Sequence, residues 1–509
     1  MLGKKLWRGI LLVLFVAVLA VSAARALYTE NNTCMGVEII SQHKLEKYTQ
    51  YVQNDYSNMF FHNGEMAAVD INSFTIYISQ DIDSSTRFNQ LVGALRFANP
   101  DYKLYFAEDE YFEKLSEAVA QSHPFKLIVT DGGSEYMEYY VIFTNLPLVR
   151  MTGAASYTNE ENREVYSGDI CVWTPFDPQT LGYTVKSSSA QWHVRGDSQK
   201  AEPKKPYKFA LKNENGANND LNMLGLGSDD DWILNSMSLE DLEFRDKLVM
   251  DIWNEMCADT AYNYPMDSGE YAEVINNGEY SGLYLLQRRV DTKYLNTDRN
   301  DVLLKGRKEF ADPNNPIYYT VVGDEAAQQQ ATEIMVQYDA QQNYDRIVLE
   351  NWIDVNLFVN WGYMSDNVRR HNMYYVLEDM EDDLKIKLIL WDTDMTFGLD
   401  WSSEGRYVYN LWIMDHLQYN RPEYEKLKEI YPDLDQKLSQ RWQQLRSTVL
   451  TNENIFAKVE SYQQIFIQSG AFARDKAKWG EYHGGADNIE AFYEFIEKRM
   501  AFLDSCYGI

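Results

Sequence analysis

Two segments in the second half of the chain carry residues whose types and order could transfer a phosphoryl group. The first contains Asp366 and Asn372, and the second contains Asp392 and Asp394. Phosphoryl transfer from ATP needs a carboxylate that orients the attacking hydroxyl, and further oxygen ligands that hold a metal ion against the phosphates. Mg²⁺ takes carboxylate and amide oxygens rather than thiols. Asp366, Asn372 and Asp392 supply these types in that order.

Each of these residues also has an ordinary structural explanation. Asp366 follows a predicted helix, where a capping or solvated aspartate is common, and Asn372 opens a strand, where turn residues are common. His371 could be a ligand or a base, or a packed histidine. Glycoside hydrolysis by paired carboxylates stays open, whereas the motifs G-x-S-x-G, H-E-x-x-H and the P-loop are absent from the chain.

A nucleotide site also needs positive groups near its phosphates. Candidates lie at the end of one predicted strand, along the next strand, and in a later short strand. A glycine after a strand lets the backbone approach a ligand closely. The alternative for each lysine is a solubilising role on the surface. The candidates are Arg195 with Gly196, then Lys204, Lys205 and Lys208, and finally Lys305.

A local helix–strand–strand unit must position the carboxylates. The pattern predicts a long helix over about 341–363, then strands at 373–378 and 385–392 that are joined by an acidic turn. A short strand pair of this kind could bring the two segments face to face. The stretch 307–340 before the helix is predicted to be a surface insertion.

Strands dominate the chain from about 138 to 212, and one more helix and a hairpin follow. The helix is predicted over 238–256 with Ser238 as its N-cap. Asn277-Gly278 is a strong two-residue hairpin signal. Residues 28–135 alternate short strand-like and helical stretches, including strands at 74–82 and 125–131 and a helix at 108–121. After Asp400 the pattern is mostly helical.

Composition excludes several classes of protein. The chain has 509 residues, 47 Lys and Arg against 77 Asp and Glu, and a formal charge of −30. Nucleic-acid binding is therefore not expected, because phosphate contacts need a basic surface. Aromatic residues make up 14% of the chain, which excludes disorder as the main state.

Residues 1–27 resemble an export segment. Lys4, Lys5 and Arg8 precede the apolar run 9–23, and Ala24-Arg25-Ala26 fits a cleavage site. Two outcomes stay open, a cleaved signal peptide and a retained membrane anchor through residues 9–23. Either one predicts an exported protein, extracellular or held at the outer face of the membrane.

The cysteines leave the redox state of the chain open. There are four, Cys34, Cys171, Cys257 and Cys506, and none forms a C-x-x-C pair. Export permits disulfides, but two bridges and four buried thiols are equally compatible with the sequence.

The order of these segments resembles the CotH family, spore-coat proteins with an atypical protein-kinase fold. The matching pieces are spread over about 140–509, and no single one decides the match. Residues 28–135 are outside the resemblance. The pieces are WHVRGDS (192–198), KKPYKFAL (204–211), the segment 230–253, NGEYSGLYLL (277–286), LLKGR (303–307), DNVRRHNMYY (366–375), LILWDTDMTFG (388–398), and the tail segments 441–455, 474–479 and 497–504.

The resemblance implies an α+β fold with a kinase-like two-lobed core. It implies a β-rich nucleotide-binding lobe over 136–310 and a helical catalytic lobe over 311–509, preceded by an extra α/β region. It also implies transfer of phosphate from ATP, with Mg²⁺ or Mn²⁺, to Ser or Thr of a coat or surface protein. Asp366 would be the catalytic carboxylate, and Asn372, Asp392 and Asp394 would be metal ligands. The nucleotide would contact Arg195 with Gly196, and a lysine that is either in 204–208, with Lys205 and Lys208 as candidates, or Lys305; which lysine meets the phosphates stays open.

Two positions depart from the family pattern. Arg288 stands where the family usually has an acidic residue, and Asp197 replaces the asparagine of the common R-G-N-S. These departures and the predicted export keep a second interpretation open, a catalytically inactive, kinase-like surface or coat interaction protein.

Overall fold

The computed structural model describes most of the chain after residue 32. The described ranges are 33–108, 114–177, 180–196, 198–296, 301–306, 318–323, 325–340, 344–367, 371–380, 383–400, 406–411, 421–483 and 487–509. The predicted export segment lies outside them, and so does Asp197. Among the described residues, no helix combines the length and the apolar composition that a bilayer crossing requires.

The chain forms a mixed α+β structure that begins with an eight-stranded sheet. Strands β2, β9, β10, β11, β7 and β6 follow one another across this sheet, with β1 at one edge and β3 paired to β11, while β5, β4 and β8 form a smaller sheet. The strands are β1 (Thr33–Cys34), β2 (Val37–Ile40), β3 (Gln50–Tyr51), β4 (Phe60–His62), β5 (Glu65–Met66), β6 (Ala68–Asp70), β7 (Thr75–Ser79), β8 (Leu95–Phe97), β9 (Lys103–Ala107), β10 (Phe125–Thr130) and β11 (Glu135–Thr144). The helices here are α1 (Gln42–Leu45) and α2 (Leu115–Ala120), with 3-10 turns at Ser57–Met59 and Phe88–Gln90.

A closed seven-stranded barrel follows directly. Its strands run in the order β12, β13, β14, β15, β18, β20, β19, and parallel pairing of β19 with β12 closes it. Trp192, Trp232 and Tyr284 fill the interior, so the barrel is a packed core. The strands are β12 (Leu148–Thr158), β13 (Glu164–Asp177), β14 (Gly182–Val194), β15 (Tyr207–Lys212), β18 (Asp231–Asn235), β19 (Glu270–Asn276) and β20 (Glu279–Arg288), with a small pair β16 (Leu221–Asn222) and β17 (Ser228–Asp229) and a 3-10 turn Gln199–Ala201.

The rest of the chain is a four-stranded sheet covered by helices. The sheet order is β22, β21, β23, β24, and the largest apolar core lies between this sheet, the helices and the barrel. The strands are β21 (Val302–Gly306), β22 (Tyr318–Val322), β23 (Met373–Glu378) and β24 (Lys385–Leu390); the helices are α3 (Arg245–Cys257), α4 (Thr292–Leu295), α5 (Glu325–Ala340), α6 (Leu349–Gly362), α7 (Arg421–Ile430), α8 (Leu434–Arg446), α9 (Asn452–Ser469), α10 (Ala471–Trp479) and α11 (Ile489–Tyr507).

Buried contacts join the first sheet to the barrel and to α10. The rings of Tyr77 and Tyr280 stack at 4.7 Å. Arg474 donates to both carboxylate oxygens of Glu273, at 2.9 and 2.7 Å, and its Nη1 lies 2.7 Å from Ser122 Oγ. Because Glu273 and Arg474 are both buried, each charge depends on the other, and removing one would leave the other uncompensated.

Gly282 is a point of close approach between α10 and the barrel. It lies at a bulge between β19 and β20, has a φ of +104°, and a Cβ built there would be 2.1 Å from Asp475 Oδ1. That carboxylate accepts a hydrogen bond from the backbone N–H of Leu283 at 2.8 Å and forms an ion pair with Lys204 at 2.7 Å.

We expect Gly282→Ala to destabilise the protein by about 3 kcal/mol, because a methyl group there is both overpacked and conformationally strained. Gly216→Ala is the matched control, since Gly216 has a φ of +79° but no atom within 4 Å of a built Cβ. Thermal unfolding of the two variants measures the difference. Equal melting temperatures would show that the contact with Asp475 carries no energetic weight.

Most predicted elements are present, with three differences. The predicted helix over 238–256 begins at Arg245, and Ser238 is not its N-cap, because Glu243 has a φ of +55° and Glu240 accepts from the Arg245 backbone N–H at 3.1 Å. The stretch 139–151 is two strands. The predicted surface insertion contains α5, which buries Ala331, Met335 and Tyr338 in the main core.

Three further predictions agree with the described residues. The hairpin at Asn277-Gly278 joins β19 and β20, the predicted strands at 373–378 and 385–392 are β23 and β24, and the end of the chain is helical. The helix predicted over 341–363 is observed as α6 from 349 onwards. All four cysteines are free thiols, three of them buried, and burial raises the pKa of Cys171 to about 12.

Candidate active site

The ends of β23 and β24 bring Asn372 and Asp392 together. Met373 and Leu390 are paired across the two strands, and the backbone N–H of Trp391 donates to the Asn372 carbonyl at 3.1 Å. Asn372 and Asp392 have φ values of +50° and +57°, a conformation that asparagine and aspartate tolerate better than most residues. The antiparallel pairing of β23 and β24 therefore places both residues at the same end of the two strands.

Asn367 ties the segment after α6 to this edge. Its Nδ2 donates to the carbonyl of Asn372 at 3.0 Å and to that of Trp391 at 2.6 Å. Asp366 then lies beside the strand ends. One of its oxygens accepts from Asn372 Nδ2 at 3.0 Å, and the other is 3.0 Å from His371 Nδ1. The structure thus brings together Asp366, Asn372 and Asp392, the three residues that the sequence pattern first indicated.

Asp394 is buried next to Asp392. Only 6% of its surface is exposed, and Gln199 Nε2 donates to its Oδ2 at 3.0 Å. Gln199 is presented by the turn after β14, where Gly196 has a φ of +80°. Burial raises the pKa of Asp394 well above its usual range, and the charges of Asp392 and Asp246 raise it further.

Asp246 is a fourth carboxylate, and sequence reasoning missed it. It lies in the first turn of α3 and is 4% exposed. Thr393, between Asp392 and Asp394, donates to its Oδ1 from Oγ1 at 2.7 Å and from the backbone N at 3.2 Å. Burial raises the pKa of Asp246, and the charge of Asp392 contributes. With the helix predicted to begin at 238, this aspartate was placed in the middle of a helix, where nothing marked it as special.

The chemistry of these groups fits a hard divalent cation. Buried carboxylates that repel one another are costly unless a cation neutralises them. Among the described residues, the one group of three carboxylates with oxygens within 4.8 Å of one another lies elsewhere, at Asp220, Asp229 and Asp230, and the Lys293 ammonium already pairs with it. The carboxylates around Asp392 are spaced more widely than those of that group. A cation at Asp392 would therefore have fewer protein ligands and would keep water molecules, as Mg²⁺ usually does.

A narrow cleft lies beside Asp392, between the barrel and the β23–β24 sheet, with a cavity volume of about 20 Å³. Its walls combine apolar side chains with Asp246 and Asp392. Three buried polar atoms on its walls have no hydrogen-bond partner among the described residues: Gln287 Oε1, Arg288 Nε and Trp391 Nε1. Buried polar atoms are normally paired, so these three indicate a polar ligand. The apolar lining includes Met250, Met266, Val290, Tyr294, Ile389 and Leu390.

The predicted positive groups separate into two sets. Arg195 lies over the Trp391 ring at 5.6 Å, and Lys305 Nζ is 6.0 Å from the same ring. Lys208 Nζ is instead 3.3 Å from Asp231, and burial lowers its pKa. Lys205 donates to the carbonyl of Lys200 at 2.8 Å. Arg195 and Lys305 are thus the two predicted cations beside Asp392.

Lys204 is a further predicted cation, and it points elsewhere. It is buried, 2.7 Å from Asp475 and 3.5 Å from Glu243. The buried Lys204 ammonium, together with its two carboxylate partners, therefore belongs to the contact between α10 and the barrel. This placement removes Lys204 from the candidates for phosphate binding.

Arg288 faces an acidic partner across the cleft. Its backbone N–H donates to Asp267, its Nε is 3.8 Å from the same carboxylate, and its guanidinium lies 4.7 Å from the Tyr294 ring. Position 288, where the family usually has a carboxylate, thus carries an arginine. Asp267, in the segment before β19, supplies a carboxylate nearby.

Comparison with known protein families gives a match over most of the chain. The sequence profile described as CotH kinase protein matches residues 192–503, more than half of the chain. The chain belongs to the CotH family. The matched region contains all nine predicted site residues, from Arg195 to Asp394. No curated protein matches the chain.

Proposed function

We propose that this CotH-family protein is an exported protein kinase that transfers the γ-phosphate of ATP to Ser or Thr of a coat or surface protein. The barrel and the helical region would act as the two lobes of a kinase-like core, with the cleft between them as the nucleotide site. The observation that carries the proposal is this cleft, because it combines an apolar wall, adjacent carboxylates and buried polar atoms that have no hydrogen-bond partner among the described residues. A nucleotide has the matching base and phosphates, and the cleft of about 20 Å³ would have to widen to admit it.

In this proposal Asp366 accepts the proton of the attacking hydroxyl. Asn372 and His371 hold its carboxylate from two sides, which orients it before substrate arrives. The hydroxyl oxygen forms a bond to the γ-phosphorus, the bond to the β-phosphate oxygen breaks, and ADP leaves. Positioning supplies most of the rate in reactions of this kind.

Asn372, Asp392 and Asp394 would hold Mg²⁺ or Mn²⁺. The cation would neutralise charge on the phosphates when bound. Arg195 and Lys305 lie at the Trp391 ring, beside Asp392, and would contact phosphate oxygens. Gly196 would allow the backbone to approach the phosphates closely. Lys208 and Lys205 would contact the nucleotide only after leaving their present partners, Asp231 and the Lys200 carbonyl.

One observation favours the second function, an inactive kinase-like interaction protein. Arg288 brings a guanidinium to the cleft wall at a position where the family usually has a carboxylate, and it lies against Tyr294 and Asp267. If that arrangement blocks the base of a nucleotide, the family core would serve as a binding scaffold.

Labelled-ATP transfer by residues 28–509 with Mg²⁺ or Mn²⁺ tests the proposal, with Asp392→Ala as the control. We expect label on the protein itself or on a Ser-rich peptide, and its loss in the variant. Thermal stability with ATP and Mn²⁺ separates binding from catalysis, since ligand at 100 times its Kd stabilises by about 2.7 kcal/mol. A folded protein that shows neither transfer nor stabilisation would support the interaction protein.

A further inference from the structure

We propose that Asp246 is a positioning residue that holds the Asp392–Thr393–Asp394 loop in the geometry that binds the metal ion. This inference rests on the proposed function, because it concerns the metal of that site. It assigns a role to a residue that comes from α3, 147 positions before Thr393 in the chain. Asp246 would act through the loop, without touching substrate.

The two carboxylate oxygens of Asp246 accept hydrogen bonds from different parts of the fold, one from the loop and the other from β18. Oδ1 accepts two hydrogen bonds from Thr393, one from the hydroxyl and one from the backbone. Oδ2 accepts from Asn235 Nδ2 at 2.6 Å, and Asn235 in turn accepts from the Met237 backbone N–H at 3.0 Å. The loop is thereby joined to both α3 and the end of β18.

To satisfy this arrangement, both terminal atoms of the side chain at position 246 must be hydrogen-bond acceptors. An asparagine at position 246 would have to turn its NH₂ group toward either Thr393 or Asn235, each of which already presents a donor. One buried donor would then face another, which costs the hydrogen bond and leaves a polar group unsatisfied. The backbone of Thr393 would shift, and the side chains of Asp392 and Asp394 on either side of it would move as well.

Residues that orient metal ligands have a measurable effect on metal affinity. Loss of such an outer partner typically weakens metal binding by about 10–100-fold. Two other charged clusters make no hydrogen bond to this loop in the described residues. They are the buried ion pair of Lys204 with Asp475 and the group of carboxylates at Lys293. Among the described residues of α3, Asp246 is the one whose side chain accepts hydrogen bonds from the Asp392–Thr393–Asp394 loop.

Mn²⁺ binding to the full chain, measured by electron paramagnetic resonance of free Mn²⁺, tests the inference without an activity assay. We expect Asp246→Asn to weaken Mn²⁺ binding by about 10–100-fold. In the double variant Asp246→Asn with Asn235→Asp, the acceptor and donor exchange places. We expect it to recover to within a few-fold of wild type. Asp259→Asn removes an exposed charge just after the same helix and should bind as wild type does.

The outcomes separate this inference from the proposed function. If wild type binds no Mn²⁺, the proposed function fails. If wild type binds and a folded Asp246→Asn protein binds equally well, or the double variant shows no recovery, the positioning role is wrong. Should Asp246→Asn not fold, Thr393→Val removes one donor and keeps every carboxylate. A smaller but measurable loss is then expected, and unchanged Mn²⁺ affinity would overturn the inference.

Discussion

Replacing Asp366 by asparagine is expected to reduce phosphate transfer by about 10²–10⁴-fold, the usual contribution of a positioned general base. Binding of nucleotide and Mn²⁺ should change little, because Asp366 is assigned to the hydroxyl rather than to the metal. Asparagine keeps the volume of the side chain but cannot take up the proton. Single-turnover transfer and Mn²⁺ titration on the same protein measure the two effects separately.

Asp392→Asn is the informative comparison for this prediction. It should weaken both transfer and Mn²⁺ binding, because Asp392 is assigned to the metal. Asp251→Asn is a control for loss of a carboxylate, since Asp251 pairs with Lys247 and Tyr462 on the other side of α3. Transfer at wild-type rate by the Asp366→Asn protein would rule out its catalytic role and require another residue as the base.

The segment that matches the family, residues 192–503, is expected not to fold when it is produced alone. It lacks β12, β13 and nearly all of β14, three of the seven strands that close the barrel. Val149, Met151, Ile170 and Val172 would be missing from the barrel interior. At about 1.5–3 kcal/mol for each buried side chain, their loss amounts to roughly 6–12 kcal/mol, comparable with the whole stability of a typical domain, about 5–15 kcal/mol.

Thermal unfolding followed by near-UV circular dichroism measures this effect. Residues 28–509 should unfold cooperatively, and 192–503 should show no cooperative transition. A chain that begins at residue 147 is the intermediate case: it keeps the barrel but exposes Trp173 and Tyr280, which pack against the first sheet. We expect it to fold with reduced stability. A cooperative transition of 192–503 near that of the longer chain would contradict the prediction.

The local parts of the candidate site were predictable from the sequence. Asp366, Asn372 and Asp392 belong to one helix–strand–strand unit, and the antiparallel pairing of β23 with β24 places Asn372 opposite Trp391. The Asn277-Gly278 turn fixed another hairpin in the same way. Turn chemistry of this kind acts over a few residues, so the pattern of residues is enough to determine it.

The helix α5 was hidden by its composition. Its sequence is rich in Gln and Ala, and it follows a stretch without clear periodicity. The structure buries Ala331, Met335 and Tyr338, spaced three and four residues apart, against the main core. A narrow apolar stripe on a polar helix is a weak signal until the surface that it covers is known.

By itself, the sequence determined the order of the chemical groups, the membership in a family and the local hairpins. Only the tertiary structure decided which distant residues join them. Gln199 reaches Asp394 across 195 positions and Asp246 reaches Thr393 across 147. The tertiary structure also showed that Arg195 and Lys305 lie beside Trp391, whereas Lys204 is buried against Asp475. The physical reason is that turns act between neighbours in the chain, whereas the partners of a buried charge are chosen by how whole elements pack.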